Sequence, residues 1–118
     1  MVQSFRDLVV WQRSIQMPVS IYRLTQGFPK EEAYGLTSQM RRAVVSIGSN
    51  IAEGHGRLST GEYRQFFGMA RGSNFEIQTQ LEIARALGIG DSKLLESAES
   101  LSLEVGKMIF GVLEGIKN

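Results

Sequence analysis

The sequence of 118 residues contains no cysteine and only one histidine, His55. The absence of cysteine excludes disulfide bonds, thiolate catalysis and cysteine-ligated metals. A single histidine excludes the paired-histidine motifs of zinc enzymes, and His55 lies between two glycines in a predicted exposed loop. We therefore expect no metal site and no cofactor, and an enzyme is the functional class that the sequence favours least.

Long apolar runs are also missing. No uninterrupted apolar stretch approaches the ~18 residues of a membrane-spanning helix, and no signal-like segment follows Met1. Apolar residues make up 42% and charged residues 21% of the chain, which is typical of a globular protein with a buried core. We expect one domain over residues 1–118, in the cytoplasm and not associated with a membrane.

The net charge is only +1, from 13 basic and 12 acidic residues, but the charges are unevenly distributed. Nine of the basic residues are arginine, and none of these lies after Arg85. The segment from residue 41 to residue 71 contains five arginines and two glutamates, which gives it a local charge of +3. Arginine suits phosphate and carboxylate recognition because its planar guanidinium donates paired hydrogen bonds. This basic stretch is the most suggestive feature of the sequence.

Four segments show helical periodicity, and none shows the sustained alternation of a strand. The predicted helices cover about residues 4–26, 29–54, 59–87 and 91–116. Ser4, Ser59 and Asp91 supply N-cap side chains, Pro29 fits a first helical position, and Pro18 predicts a kink in the first helix. Because the connections are only about three to six residues long, sequential helices must be antiparallel neighbours. The sequence therefore predicts an all-α, antiparallel up-down-up-down four-helix bundle.

Each predicted helix carries an apolar stripe with a spacing of three or four residues. The stripe of the first helix is Leu8, Trp11, Ile15, Val19 and Tyr22, and that of the second is Leu36, Met40, Ala43, Val44, Ile47 and Ile51. Apolar residues outside the stripes indicate a second buried face and hence self-association. They are Val9, Val10, Met17, Leu24, Val45, Phe67 (or Phe66), Leu103 and Phe110.

Small and polar residues interrupt the second and third helices. Gly68 and Gly72 each cost ~1 kcal/mol relative to alanine inside a helix, which predicts close approach of a neighbouring helix. Asn50, Ser73 and Glu76 are predicted to form a polar layer that joins the two helices and fixes their register. The alternative is an acid–base pair of carboxylates, for which Glu53, Glu76 and Glu82 are candidates.

The five arginines of the basic stretch are candidate phosphate contacts: Arg41, Arg42, Arg57, Arg64 and Arg71. Because antiparallel neighbours place the second and third helices side by side, these arginines are expected to form one patch that attracts phosphates without regard to sequence. The alternative is that Arg41 or Arg42 pairs with a glutamate on another helix or subunit. The sequence contains no helix-turn-helix, zinc-finger or RNA-recognition motif.

Several blocks of the chain match those of one known family. They are FRDLVVWQ (residues 5–12), YGLTSQMRRA (34–43), SNIAEG (49–54), EY (62–63), ARGS (70–73) and Glu76. In these blocks and in the spacing between them, the chain resembles the bacterial four-helix-bundle proteins first described as products of intervening sequences in 23S ribosomal RNA genes. The resemblance covers nearly the whole chain.

This resemblance implies an up-down bundle that assembles into a ring-like homo-oligomer, a pentamer. A related branch comprises the reverse-transcriptase accessory proteins of diversity-generating retroelements, which are basic pentamers that bind nucleic acid and the polymerase. The present chain departs from that branch in being nearly neutral, although a ring would repeat its arginines several times. The leading hypothesis is a non-enzymatic homo-oligomer that binds nucleic acid, with RNA favoured over DNA. The alternative is an oligomeric scaffold that recruits a protein partner such as a polymerase.

Overall fold

Four α-helices follow one another in the computed structural model, which describes residues 4–116. They are α1 (Val9–Gln26), α2 (Leu36–His55), α3 (Thr60–Leu87) and α4 (Ser92–Gly115). Short 3-10 helices precede the first two, at Phe5–Asp7 and Lys30–Glu32. These residues include no strand, so the predicted all-α class is confirmed. Nor do they include a helix that is both long enough and apolar enough to cross a membrane.

Helices that are adjacent in the sequence run antiparallel. Arg64, near the start of α3, donates a 3.1 Å hydrogen bond to the carbonyl of Leu113, near the end of α4. Arg85, near the end of α3, pairs at 3.2 Å with Glu99 in the first half of α4. Each helix packs against two neighbours, and the diagonal pairs of these four helices have no Cα atoms within 8 Å of each other. The up-down-up-down four-helix bundle is therefore confirmed.

The first two helices begin later than predicted. The Ser4 hydroxyl accepts a hydrogen bond from the Arg6 amide, but this caps the 3-10 turn, and extended Leu8 separates that turn from α1. The predicted continuous helix from Ser4 is therefore wrong. Pro29 likewise precedes a 3-10 turn, and α2 starts only after Gly35, whose backbone is not helical.

The later helix ends follow the predicted caps. The Ser59 hydroxyl accepts from the Glu62 amide at 3.1 Å, and the Asp91 carboxylate accepts from two amides in the first turn of α4. Gly88 ends α3 with a φ of 70°, a left-handed conformation that glycine adopts without the steric penalty of a Cβ. Gly54 does not end α2, which continues to His55.

The buried face of α1 is not the predicted one. Ile15, Val19 and Tyr22 belong to the predicted stripe, yet they are 42%, 53% and 41% exposed. The core is filled instead from the other side of the helix, by Val10, Met17, Ile21 and Leu24. The first helix thus has two apolar faces, only one of which is covered within the chain.

Two buried polar residues explain why the apolar periodicity predicts the wrong face of α1. Ser14 and Thr25 lie on the core side of α1 and interrupt its apolar pattern. Their hydroxyls donate to carbonyls of their own helix, at 2.7 Å to Trp11 and 2.7 Å to Ile21. Because both hydroxyls are satisfied locally, they can be buried without a partner on another helix.

The stripe of α2 is buried as predicted. Of the apolar residues expected outside the stripes, half lie in the core and half on the surface. The core members are Val10, Met17, Leu24 and Phe67, whereas the exposed members are Val9, Val45, Leu103 and Phe110. These exposed members lie on α1, α2 and α4, and Ile15, Val19 and Tyr22 of the predicted α1 stripe add to the apolar surface that is available to other molecules.

Close helix approach occurs at different glycines from those predicted. A Cβ added at Gly68 or Gly72 would meet no atom within 4 Å, so the expected contact within the chain is wrong. At Gly48, which faces α1, a Cβ would lie 3.1 Å from the Ile15 side chain. At Gly54, which faces α3, it would lie 3.0 Å from Phe66 Cβ. Both α1 and α3 therefore pack closely against α2.

Side-chain hydrogen bonds join the helices at two levels. Asn74 of α3 donates to the Ser102 carbonyl of α4 at 3.0 Å, and the Ser102 hydroxyl donates back to the Asn74 side chain at 2.7 Å. Ser46 of α2 and Ser73 of α3 are linked at 2.6 Å in a partly exposed position. Such reciprocal bonds favour one register of the helices over its neighbours.

Replacing Gly54 by leucine is expected to destabilise the bundle by at least about 1–3 kcal/mol, because the core cannot accommodate the new side chain. The measurement is equilibrium unfolding in denaturant. Gly111→Leu is the matched control, since a Cβ at that exposed position of α4 meets nothing within 4 Å. The control is expected to leave stability unchanged or raise it by up to about 1 kcal/mol. Equal losses in both variants would contradict the close approach at Gly54.

Ser102→Ala is expected to lower the free energy of unfolding by about 1–3 kcal/mol, because the buried Asn74 oxygen loses its donor. Ser73→Ala removes the same atom from a position that water reaches, so its expected cost is below about 1 kcal/mol. Both values come from denaturant midpoints at constant m-value. A cost at Ser73 equal to that at Ser102 would show that burial does not determine the contribution of these bonds.

Candidate nucleic-acid interface

The five predicted arginines do not form one patch on the folded chain. They are distributed over three places: the seam between α1 and α2, the α2/α3 side and its connecting loop, and the seam between α3 and α4. The structure brings Arg64 and Arg71 together and separates Arg41 from them. Side-by-side packing of α2 and α3 is present, but the arginines point to different sides of that pair.

Arg41 is engaged inside the chain. Its Nε donates to the Thr25 hydroxyl at 2.9 Å, and its guanidinium carbon lies 4.3 Å from the centroid of the Tyr22 ring. Both contacts tie the middle of α2 to the end of α1. Because the guanidinium is partly buried and already bonded, Arg41 is the least suited of the five to contact a phosphate.

Arg42 and Arg57 are exposed but differ in their surroundings. Arg42 lies beside an open polar groove between α2 and α3, which Glu76 also lines. Arg57 follows the end of α2, where it pairs with Glu53 at 3.3 Å and stacks over the Phe66 ring at 4.3 Å. Glu53 is only four residues before Arg57, so this pair does not join two helices. The salt bridges found between residues 4 and 116 involve neither Arg41 nor Arg42.

Arg64 and Arg71 lie along the α3/α4 seam, where Lys107 of α4 joins them. Arg64 reaches the carbonyl of Leu113, and Arg71 stacks over Phe75 with its guanidinium carbon 5.0 Å from the ring centroid. Lys107 and Arg71 line the same groove. All three side chains are exposed, and the salt bridges found between residues 4 and 116 involve none of them.

Ion pairs use other cations. Arg13 of α1 binds Glu104 of α4, and Arg85 binds both Glu82 and Glu99. The hydrogen bond from Arg13 lowers the pKa of Glu104, and the same contact raises the pKa of Arg13. These pairs compensate Arg13 on the α1/α4 seam and Arg85 at the far end of the α3/α4 seam, whereas Arg64, Arg71 and Lys107 on the α3/α4 seam take part in none of them.

The predicted polar layer is joined through a residue that the sequence did not single out. Asn50 donates to the Ser46 carbonyl at 2.8 Å, and Ser73 bonds to the Ser46 hydroxyl. Glu76 is exposed and accepts a 3.3 Å hydrogen bond from Gln80. Ser46 therefore connects Asn50 and Ser73, whereas Glu76 belongs to the surface. The sequence does contain a signal for Ser46, because this serine lies four residues before Asn50 on the same helix.

The charge of the local sequence does not identify Lys107 as a candidate phosphate contact. It lies in a C-terminal region where acidic residues outnumber basic ones. The antiparallel register of α3 and α4 nevertheless brings it to the groove that Arg71 lines.

Over residues 4–116, no three histidine or acidic side chains are grouped so that they could hold a metal ion.

Comparison with known proteins agrees with this architecture. Residues 6–111 match the family described as 23S rRNA-intervening sequence protein. A crystal structure from Bacteroides thetaiotaomicron, of a protein with unknown function from the S23 ribosomal protein family, superposes with a TM-score of 0.77. It is 24% identical and covers 89% of this chain and 98% of its own, which shows a shared fold. No curated protein matches the chain.

The family match extends over most of the chain, including all the helices that form the bundle except the last residues of α4. It coincides with the sequence blocks that indicated the same resemblance. The chain belongs to the 23S rRNA-intervening sequence protein family.

Proposed function

We propose that this protein is a non-enzymatic, self-associating helical bundle that binds nucleic acid, with RNA favoured. The contact surface is the exposed part of the α3/α4 seam around Arg64 and Arg71, while Arg42 and Arg57 serve as secondary phosphate contacts. The observation that carries the proposal is that Arg64 and Arg71 are exposed on one side of the bundle and join no ion pair among the described residues.

The local arrangement of charge favours an anionic polymer as the ligand. Arg64 and Arg71 are seven residues apart on α3, which places them about 10 Å apart along one face of the helix. Lys107 extends this row onto α4. A row of unpaired cations attracts the regularly spaced phosphates of a nucleic acid, and each contact releases condensed counterions.

Self-association would increase the strength of such weak contacts. Ile15, Val19 and Tyr22 of α1 and Val45 of α2 are all exposed. The two helices pack against each other, with Ile15 next to Gly48, three residues after Val45. We name these four residues the α1/α2 patch. Single exposed apolar residues are ordinary, but a group on adjacent helices marks an interaction surface. A second copy of this chain is the proposed occupant, because assembly repeats the cationic row and converts weak contacts into avidity.

A ring requires two different surfaces on each copy. The second is proposed to be the outer face of α3, which lies diagonally across the bundle from α1. Met69 and Ile83 are exposed there, and Gly68 and Gly72 have open space above them. Close approach by the next copy would offset the helix-propensity cost of both glycines. The pentameric ring implied by the family resemblance is compatible with this pair of surfaces.

The alternative is an oligomeric scaffold that recruits a protein partner, such as a polymerase, without touching nucleic acid. Its support is that Arg41 and Arg57 are already engaged within the chain, by Thr25 and by Glu53. The two hypotheses differ in whether Arg64 and Arg71 contact phosphates, so a measurement of nucleic-acid binding separates them.

The test of binding is titration of the purified protein with a mixed-sequence RNA and a matched duplex DNA over a salt series. Neutralising Z phosphates makes log K fall against log salt with a slope of about −0.7Z to −0.9Z. Arg64→Ala/Arg71→Ala is expected to weaken binding and to reduce that slope by roughly 1.5, the equivalent of two phosphate contacts.

The control is Arg23→Ala/Lys93→Ala, which removes the same charge from α1 and from the first turn of α4. It is expected to leave most of the affinity and slope intact. Equal losses in both double variants would show attraction by net charge rather than a defined surface. Absence of binding at low salt by an assembled oligomer would refute the nucleic-acid hypothesis and favour the scaffold.

Self-association is tested by mass measurement in the same buffer, by light scattering or analytical ultracentrifugation. Val45→Glu is expected to lower the assembly mass, because it places a charge within the α1/α2 patch. Val9→Glu, an equally apolar and exposed position in the first turn of α1, is expected to leave the mass unchanged. A monomeric parent protein, or a Val45→Glu variant of unchanged mass, would contradict the proposed interface.

A further inference from the structure

A shallow groove on the α3/α4 side combines aromatic rings with cations. It has a volume of about 310 Å³ and is lined by Arg71, Phe75, Leu103, Gly106, Lys107 and Phe110, together with Gln78. Phe75 and Phe110 are 47% and 52% exposed. The lining contains two cations and no carboxylate.

We propose that this groove binds a single strand of nucleic acid, whose bases stack on Phe75 and Phe110 while Arg71 and Lys107 hold the phosphates. The inference rests on the proposed function and assigns it a form of nucleic acid and a mode of contact. Arg64, two turns before Arg71 on α3, continues the phosphate contacts beyond the groove.

The chemistry of the groove matches that of an unpaired strand. Every base has an apolar π face, so stacking on an aromatic side chain is tolerant of sequence and contributes roughly five- to a hundred-fold in affinity for each base. Arg71 lies over Phe75, with its guanidinium carbon 5.0 Å from the ring centroid. A base that stacks on this face of the ring takes the place of the guanidinium, which remains attached one helical turn away and can hold the phosphate.

A duplex would not use these rings. Bases in a duplex are stacked on one another, and the major groove of an A-form helix is too deep and narrow for side chains to read. Phe75 and Phe110 belong to two packed helices and line a shallow groove rather than projecting as a wedge. A duplex therefore gains only the phosphate contacts, whereas a single strand gains both kinds.

A protein ligand fits this groove less well than it fits the α1/α2 patch. Burial of the groove by an apolar partner would remove Arg71 and Lys107 from water without giving them counter-charges. Arg41, which stacks over Tyr22 of the α1/α2 patch, is instead already bonded to Thr25 of its own chain. Glu114, one turn beyond Phe110, lies outside the residues that line the groove. Charge complementarity thus selects an anionic ligand for the groove.

The test compares binding of a labelled oligouridylate with that of an RNA duplex of equal length, by fluorescence anisotropy. The full-length parent protein is expected to bind the single strand at least ten-fold more tightly. Phe75→Leu/Phe110→Leu keeps apolar side chains in the groove but removes both rings, and is expected to reduce single-strand affinity by ten-fold or more. Duplex affinity and the salt slope are expected to stay unchanged, because the phosphate contacts remain.

Two further variants separate stacking from packing. Phe75→Trp retains a stacking ring and is expected to keep single-strand affinity, with its indole fluorescence quenched by the strand. Leu87→Met changes an exposed apolar side chain of α3 outside the groove and is expected to bind like the parent. Circular dichroism and assembly mass are recorded for each variant so that a folding defect is recognised.

The outcomes distinguish this inference from the proposed function. If neither single strand nor duplex binds, the proposed function fails, and the inference fails with it. If both forms bind equally and the Phe75→Leu/Phe110→Leu variant is unaffected, the stacking groove is refuted while nucleic-acid binding stands. A lower assembly mass in that variant, with unchanged affinity for the single strand, would identify the groove as a contact between subunits and would also overturn the inference.

Discussion

Close packing of α2 against both of its neighbours is the constraint on which the rest of the structure depends. Gly48 allows α1 to approach one side of α2, and Gly54 allows α3 to approach the other. With α1 and α3 fixed on either side of α2, α4 completes the bundle by packing against both α1 and α3. The α3/α4 seam and the α1/α2 patch consequently lie on opposite sides of the bundle, which keeps a cationic groove apart from an uncharged apolar surface.

Helix positions were predictable where periodicity and caps agreed. Ser59 and Asp91 mark the starts of α3 and α4 because each side-chain oxygen has an amide to accept from. The face of α1 was not predictable, since apolar residues occupy both sides and hydropathy counts Ser14 and Thr25 as polar. Their hydroxyls bond to their own helix, and this local satisfaction is what allows them into the core.

The candidate site shows a different limit of sequence reasoning. A local count of charge selected the arginines but gave no information about the side of the bundle to which each one points. Arg41 is directed towards α1, whereas Arg71 faces α4. Lys107 enters the site only through the antiparallel register of α3 and α4, a relation between residues that are distant in the sequence. Such relations follow from packing, and no short window of sequence contains them.

The near-neutral net charge does not weaken the case for an anionic ligand, because neutralisation is local. Glu82 and Glu99 neutralise Arg85 near the end of α3, and Glu104 neutralises Arg13 on the α1/α4 seam. In the part of the α3/α4 seam formed by the first half of α3, Arg64, Arg71 and Lys107 take part in none of the salt bridges found among residues 4–116. At physiological ionic strength, exposed charges farther away than about 8 Å are largely screened, so a ligand at the groove responds to these three cations more than to the total charge.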